Sequence, residues 1–114
     1  MPAALAAHLG IRPEVALTPR MLKKNLRHHP ELPETFYGEP LKALVEDPDV
    51  VACNKRDPHM LIFYRACGEK YLRAAVLLPH GEKEREYLPS VLSLRLAKPK
   101  ELGKDINRAV YRRS

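Results

Sequence analysis

Apolar residues recur along this chain with two different periods, and the change between them divides it. Up to about residue 46 the spacing is helical, and from residue 50 it alternates. The firmest early element is a helix over 19–28. Thr18 suits the N-cap and Pro19 the first helical position. Leu17 and Leu22 have the spacing of a hydrophobic staple. Met21, Leu22 and Leu26 form the apolar stripe with Asn25 at its margin, and Lys23, Lys24, Arg27 and His28 lie mostly outside it. Pro30 disfavours helical geometry at His29 and ends the helix. A turn-rich link over 33–38 leads to a short helix over 40–46, stopped by Asp47-Pro48-Asp49. Ahead of these, 1–16 reads as a leader with a short helix over 2–9, expected to be loosely attached or to pack on an edge.

The alternating part predicts strands over 50–55, 60–66, 70–78 and 90–96, with a charged loop between the last two that carries His80. Lys98-Pro99 opens a final helix in which Leu102, Ile106 and Val110 recur every fourth residue, ahead of a basic tail at Arg112-Arg113. The fold class is therefore α+β. A four-stranded antiparallel sheet, a meander plus a further strand, carries N-terminal helices on one face and is followed by a C-terminal helix. Simple turns centred between 57 and 58 and on Gly68 make paired residues sum to about 115 and 136. One face then holds Val51, Cys53, Ile62, Tyr64, Leu72, Ala74, Val76 and Leu78, joined by Leu92 and Leu94, and carries the helices. The other holds Asn54, Leu61, Phe63, Arg65, Tyr71, Arg73 and Leu77, joined by Ser93 and Arg95. Cys53 falls opposite Ile62 and far from Cys67, so a disulfide between them is not expected.

Composition narrows the function. At 114 residues the chain is too short for two self-sufficient cores, and no apolar run is long enough to span a bilayer. The first residues lack the basic stretch of a secretory signal, and two cysteines fit a reducing compartment. Lys and Arg number 20 against 14 Asp and Glu, a net charge of +6, which favours an anionic partner, nucleic acid first. No phosphate-binding glycine motif, nucleophile elbow, HExxH or paired CxxC is present. Adjacent His28 and His29 are poorly placed to chelate one ion, and neither a metal site nor a cofactor is expected.

The mixed sheet face is the informative feature. Arg65, Arg73 and Arg95 offer planar forks for phosphate, and Tyr71 and Ser93 add neutral hydroxyls. A metal-free ribonuclease needs such cations, plus an acid and a base near neutral pH. His28, His29 and His80 are the candidates for the latter.

The capped helix ending in His29-Pro30-Glu31, the Asp47-Pro48-Asp49-Val50 step into a meander, and Ser93 in the last strand with Lys98 after it occur in a recognisable order. Over about 17–100 the chain resembles the phage-associated branch of the barnase–EndoU–colicin–RelE-like (BECR) nucleases. That resemblance implies metal-independent RNases of phages, prophages and toxin systems, with a helix-backed sheet whose open face is the active surface. It divides the chain into a leader (1–16), a nuclease domain (17–98) and a C-terminal helix with basic tail (99–114). It points to His29, Arg65, Arg73 and Ser93 as catalytic residues, and the mixed face and basic positions of the chain add Tyr71, Arg95, Lys98, Lys24 and Arg27 as expected substrate contacts. The expectation is a metal-independent endoribonuclease that cleaves by attack of the ribose 2′-OH. Its partners would be RNA (tRNA or mRNA) and an antitoxin, immunity or host protein, with no membrane. It would act in the host cytoplasm, delivered in one scenario with a phage particle. The alternatives are a non-catalytic nucleic-acid- or host-protein-binding protein on the same fold, and a small virion or assembly protein.

Overall fold

The computed structural model describes residues 1–79 and 88–113. The elements run α1 (Ala3–Leu9), α2 (Pro19–His28), a 3-10 turn (Glu34–Tyr37), α3 (Glu39–Glu46), β1 (Val50–Cys53), β2 (Met60–Cys67), β3 (Lys70–Leu77), β4 (Ser90–Ala97), α4 (Pro99–Asp105), a 3-10 turn (Ile106–Arg108) and β5 (Ala109–Arg112). The strands form one antiparallel sheet in the order β4-β3-β2-β1-β5. Among the described residues no helix is long and apolar enough to cross a membrane. The charged loop with His80, beyond Pro79, lies outside the described residues.

The expected meander is present, but its register moves by one residue at each turn. Gly68 takes φ 62° at the first central position of a two-residue turn, so Cys67 pairs with Lys70. At the other turn the Asn54 side chain accepts from the N–H groups of Arg56 and Asp57, and Val51 pairs with Phe63. The two shifts leave β1 and β3 facing as expected and reverse β2, because a one-residue slip exchanges the faces of a strand. Leu61 and Phe63 therefore enter the main core with Val51, Leu72, Ala74, Val76, Val91 and Leu94, while Ile62 and Tyr64 turn to the opposite face. Arg65 goes with Phe63 and leaves the face of Arg73. Leu92 is displaced as well. A bulge lies between the Ala75–Ser93 and Val76–Val91 pairs, and it sends Leu92 to the second face. Cys53 faces Leu61 instead of Ile62, and both cysteines are free thiols.

The helices behave as their patterns require. Thr18 Oγ1 accepts from the Met21 N–H at 3.2 Å, closing the first turn of α2. In α2 the fully buried residue is Asn25, whereas Met21, Leu22 and Leu26 are half-buried. The leader is not loosely held. Met1, Leu5 and Ala6 are buried in the same apolar cluster as Leu41, Leu44 and Phe63. Burying a large aliphatic or aromatic side chain of this kind contributes about 1.5–3 kcal/mol.

The C-terminal part departs most from expectation. The helix stops at Asp105, one 3-10 turn follows, and 109–112 become a fifth strand beside β1. Tyr111 pairs with Val51 and packs on the main core. Val110 is 39% exposed and belongs to no helical stripe. Pairing with β1 satisfies a whole edge of backbone groups, which outweighs the continued apolar repeat of a short helix. Leu102 and Ile106 then close a second, smaller core over Val50, Ile62, Tyr64, Ala75 and Ala97. The second face of the sheet is thus partly roofed.

Candidate nucleic-acid interface

The second face is built around Tyr64, which is fully buried although its hydroxyl is polar. That hydroxyl donates to Asp105 at 2.5 Å and lies 3.4 Å from Arg73 Nε. Burial, and then the Asp105 carboxylate, push the phenol up to about 12, so it is neutral at any physiological pH. Tyr71 meets the Tyr64 ring edge-to-face at a centroid distance of 6.2 Å.

Beside this cluster lies a hollow of about 430 Å³, lined by Asn54, Lys55, Ile62, Arg73, Lys104, Asp105 and Arg108. Arg73 comes from the middle of β3, Ile62 from β2, Asn54 and Lys55 from the turn after β1, and Lys104, Asp105 and Arg108 from the end of α4 and its 3-10 extension. Lys55, Arg73, Lys104 and Arg108 all contribute to its lining, with Asp105 as the single carboxylate there. Asp105 is already engaged by Tyr64 and by Arg108, the latter at 2.6 Å. The Arg108 Nε–H is buried and has no hydrogen-bond partner among the described residues. Excess positive charge, partly shielded from water, with a donor left over, is an arrangement that favours an anion.

The residues singled out from the sequence are divided by the fold. Arg73 lines the hollow, and Ser93, opposite Ala75, and Arg95, opposite Arg73, share its face of the sheet. Arg95 is held by Glu101 through a two-pronged pair at 2.7 and 3.2 Å. That pair pulls the Glu101 carboxyl down to about 2. Glu101 also accepts from the Lys98 N–H at 3.0 Å, and the Lys98 side chain is exposed at the start of α4. Arg65 sits on the other face and pairs with Asp47 at 3.2 Å. His29 closes α2, its Nδ1 3.4 Å from Glu31. Lys24 and Arg27 are exposed on the same helix, which packs against β4. The structure therefore brings Arg73, Ser93, Arg95 and Tyr71 to one face and leaves His29, Arg65, Lys24 and Arg27 elsewhere.

Lys55, Lys104, Asp105 and Arg108 were not anticipated from the sequence. The Asp105–Arg108 spacing of three, typical of a helical ion pair, was the available signal. No His, Cys, Asp and Glu cluster among the described residues is arranged to hold a metal ion. Comparison with protein-family models, curated proteins and solved structures returned no match.

Proposed function

We propose that this protein binds single-stranded RNA, with a backbone phosphate seated in the hollow beside Arg73. The observation that carries this reading is the cationic wall of Lys55, Arg73, Lys104 and Arg108 around a cavity whose one carboxylate is already engaged. Phosphate contacts of this kind supply affinity with little sequence preference. Tyr71, half-buried on the same face, offers an aromatic surface for a base. The resemblance to BECR nucleases puts RNA ahead of DNA.

Binding without cleavage is favoured over endoribonuclease action. Cleavage needs an acid and a base at the phosphate, and among the described residues the candidate histidines, His28 and His29, stand at the end of α2 instead of on the second face, while His80 lies outside the described residues. Tyr64 is held too strongly neutral to serve as a base near pH 7.

One experiment separates the readings. Labelled single-stranded RNA is titrated with protein in EDTA, followed by anisotropy and then by a denaturing gel. Saturable binding of intact RNA, weakened in Arg73→Gln and Arg108→Gln, is the expected result. Binding equal in wild type and both variants would discard the hollow as the site. Fragmented RNA would restore the endoribonuclease reading.

A further inference from the structure

The two edges of the sheet are finished differently. Along β4 the open backbone is occupied. Asn25 engages both polar groups of Leu94, and Ala16 bridges the strand in parallel, donating to Pro89 and accepting from Val91 at 2.8 Å each. Along β5 no described residue hydrogen-bonds to the outer side. The Arg113 N–H donates inward to Asp49 at 2.9 Å, so the alternation of the antiparallel ladder turns the N–H and C=O of Arg112 outward. Val110, beside it, is the one exposed large hydrophobic among the described residues.

Charge decides what this edge accepts. Arg108 is paired with Asp105, and Arg113 with Asp47 and Asp49. The Arg112 guanidinium meets only the Ile106 carbonyl, at 3.2 Å, so its charge is uncompensated among the described residues. We propose that β5 receives an extended acidic segment of a partner protein, which adds a sixth strand. Its backbone would pair with Arg112, an apolar side chain would cover Val110, and a carboxylate would meet the Arg112 guanidinium. A second copy of this chain fits poorly, because antiparallel pairing of two β5 strands would bring their arginines together, and like charges across a ladder destabilise it. This proposal is independent of RNA binding.

The test titrates the heptapeptide acetyl-(Glu-Val)₃-Glu-amide into ¹⁵N-labelled full-length protein. Saturable amide shifts over 109–113 are expected, with contacts from peptide α-protons to Val110 and Arg112, and none with the lysine counterpart of the peptide. Arg112→Pro removes an outward donor without breaking a bond to β1, and it should weaken binding roughly tenfold. Arg112→Gln keeps the donor and should weaken binding about threefold. Shifts confined to Lys55, Arg73 and Lys104 would overturn the proposal. So would undiminished binding by Arg112→Pro, or a concentration-dependent doubling of mass in sedimentation. If Arg112→Pro fails to fold, the α-proton contacts in the wild-type protein decide the matter alone.

Discussion

The side-chain amide of Asn25 pairs with the backbone of Leu94 much as a neighbouring strand would. Its Nδ2 donates to the Leu94 C=O at 2.7 Å, and its Oδ1 accepts from the Leu94 N–H at 3.1 Å. The remaining donor capacity goes to the Tyr37 hydroxyl. At 5% exposure Asn25 is the buried polar residue of the described chain, and it satisfies an edge that water does not reach. Asn25→Ala leaves two backbone groups unpaired. A loss of about 2–6 kcal/mol is expected by urea unfolding, at roughly 1–3 kcal/mol for each unsatisfied group. Asn25→Leu should not recover this loss although it is apolar, and that comparison separates hydrogen bonding from packing.

Tyr64 gives a spectroscopic prediction. Its hydroxyl is raised from 10.0 to about 12, so the neutral form is the one the fold stabilises. That contribution is whole below about pH 10 and is lost as pH rises towards 12. Followed by phenolate absorbance, a late titration step is expected, and it should vanish in Tyr64→Phe. A Tyr64→Phe protein that keeps the late step would place the perturbed phenol elsewhere. The same substitution should also loosen α4, because Asp105 loses its buried donor.

Glu101 works in the opposite direction. Arg95 holds its carboxyl at about 2, below the ordinary 4.5, so the ionised form stabilises the fold. The contribution is present above about pH 4.5 and disappears as pH falls towards 2. Both side chains are close to one-third exposed, which limits the pair to about 1 kcal/mol at neutral pH. Wild type and Glu101→Gln should therefore differ in unfolding free energy at pH 7 and converge near pH 2. A difference that stays constant with pH would mean the carboxylate charge is not what holds α4 to β4.

How far the sequence could be read is set by which residues carried a period. The α2 cap at Thr18, the breaks at Pro30 and Pro48, and the faces of β1 and β3 were all legible, because polar and apolar residues alternate or cap there. In β2 the run Leu61-Ile62-Phe63-Tyr64 is apolar at every position, and each of its residues is buried on one face or the other. No period marks its faces, so the assignment rested on turn geometry alone and failed by one residue at each end. That slip is what placed Arg65 beside Arg73. The repeat of Leu102, Ile106 and Val110 also looked helical. What ends the helix is a non-local partner, the open edge of β1, which local spacing does not register. The hollow was hidden for the same reason, since three of its four cations come from the β1 turn and the C-terminal segment.

The hollow makes a quantitative prediction about salt. Each cation that meets a phosphate of single-stranded nucleic acid adds about 0.7 to the slope of log affinity against log salt. Arg73→Gln, Lys104→Gln and Arg108→Gln should each lower the RNA-binding slope by roughly that amount. Lys24→Gln and Arg27→Gln remove the same charge from the outer side of α2, and they should leave the slope unchanged. All five variants lower the net charge equally, from +6 to +5, so a purely diffuse electrostatic attraction would make them indistinguishable. Separation of the two groups in a salt titration of labelled RNA would locate the phosphate, and equal slopes in all five would remove the hollow as its site.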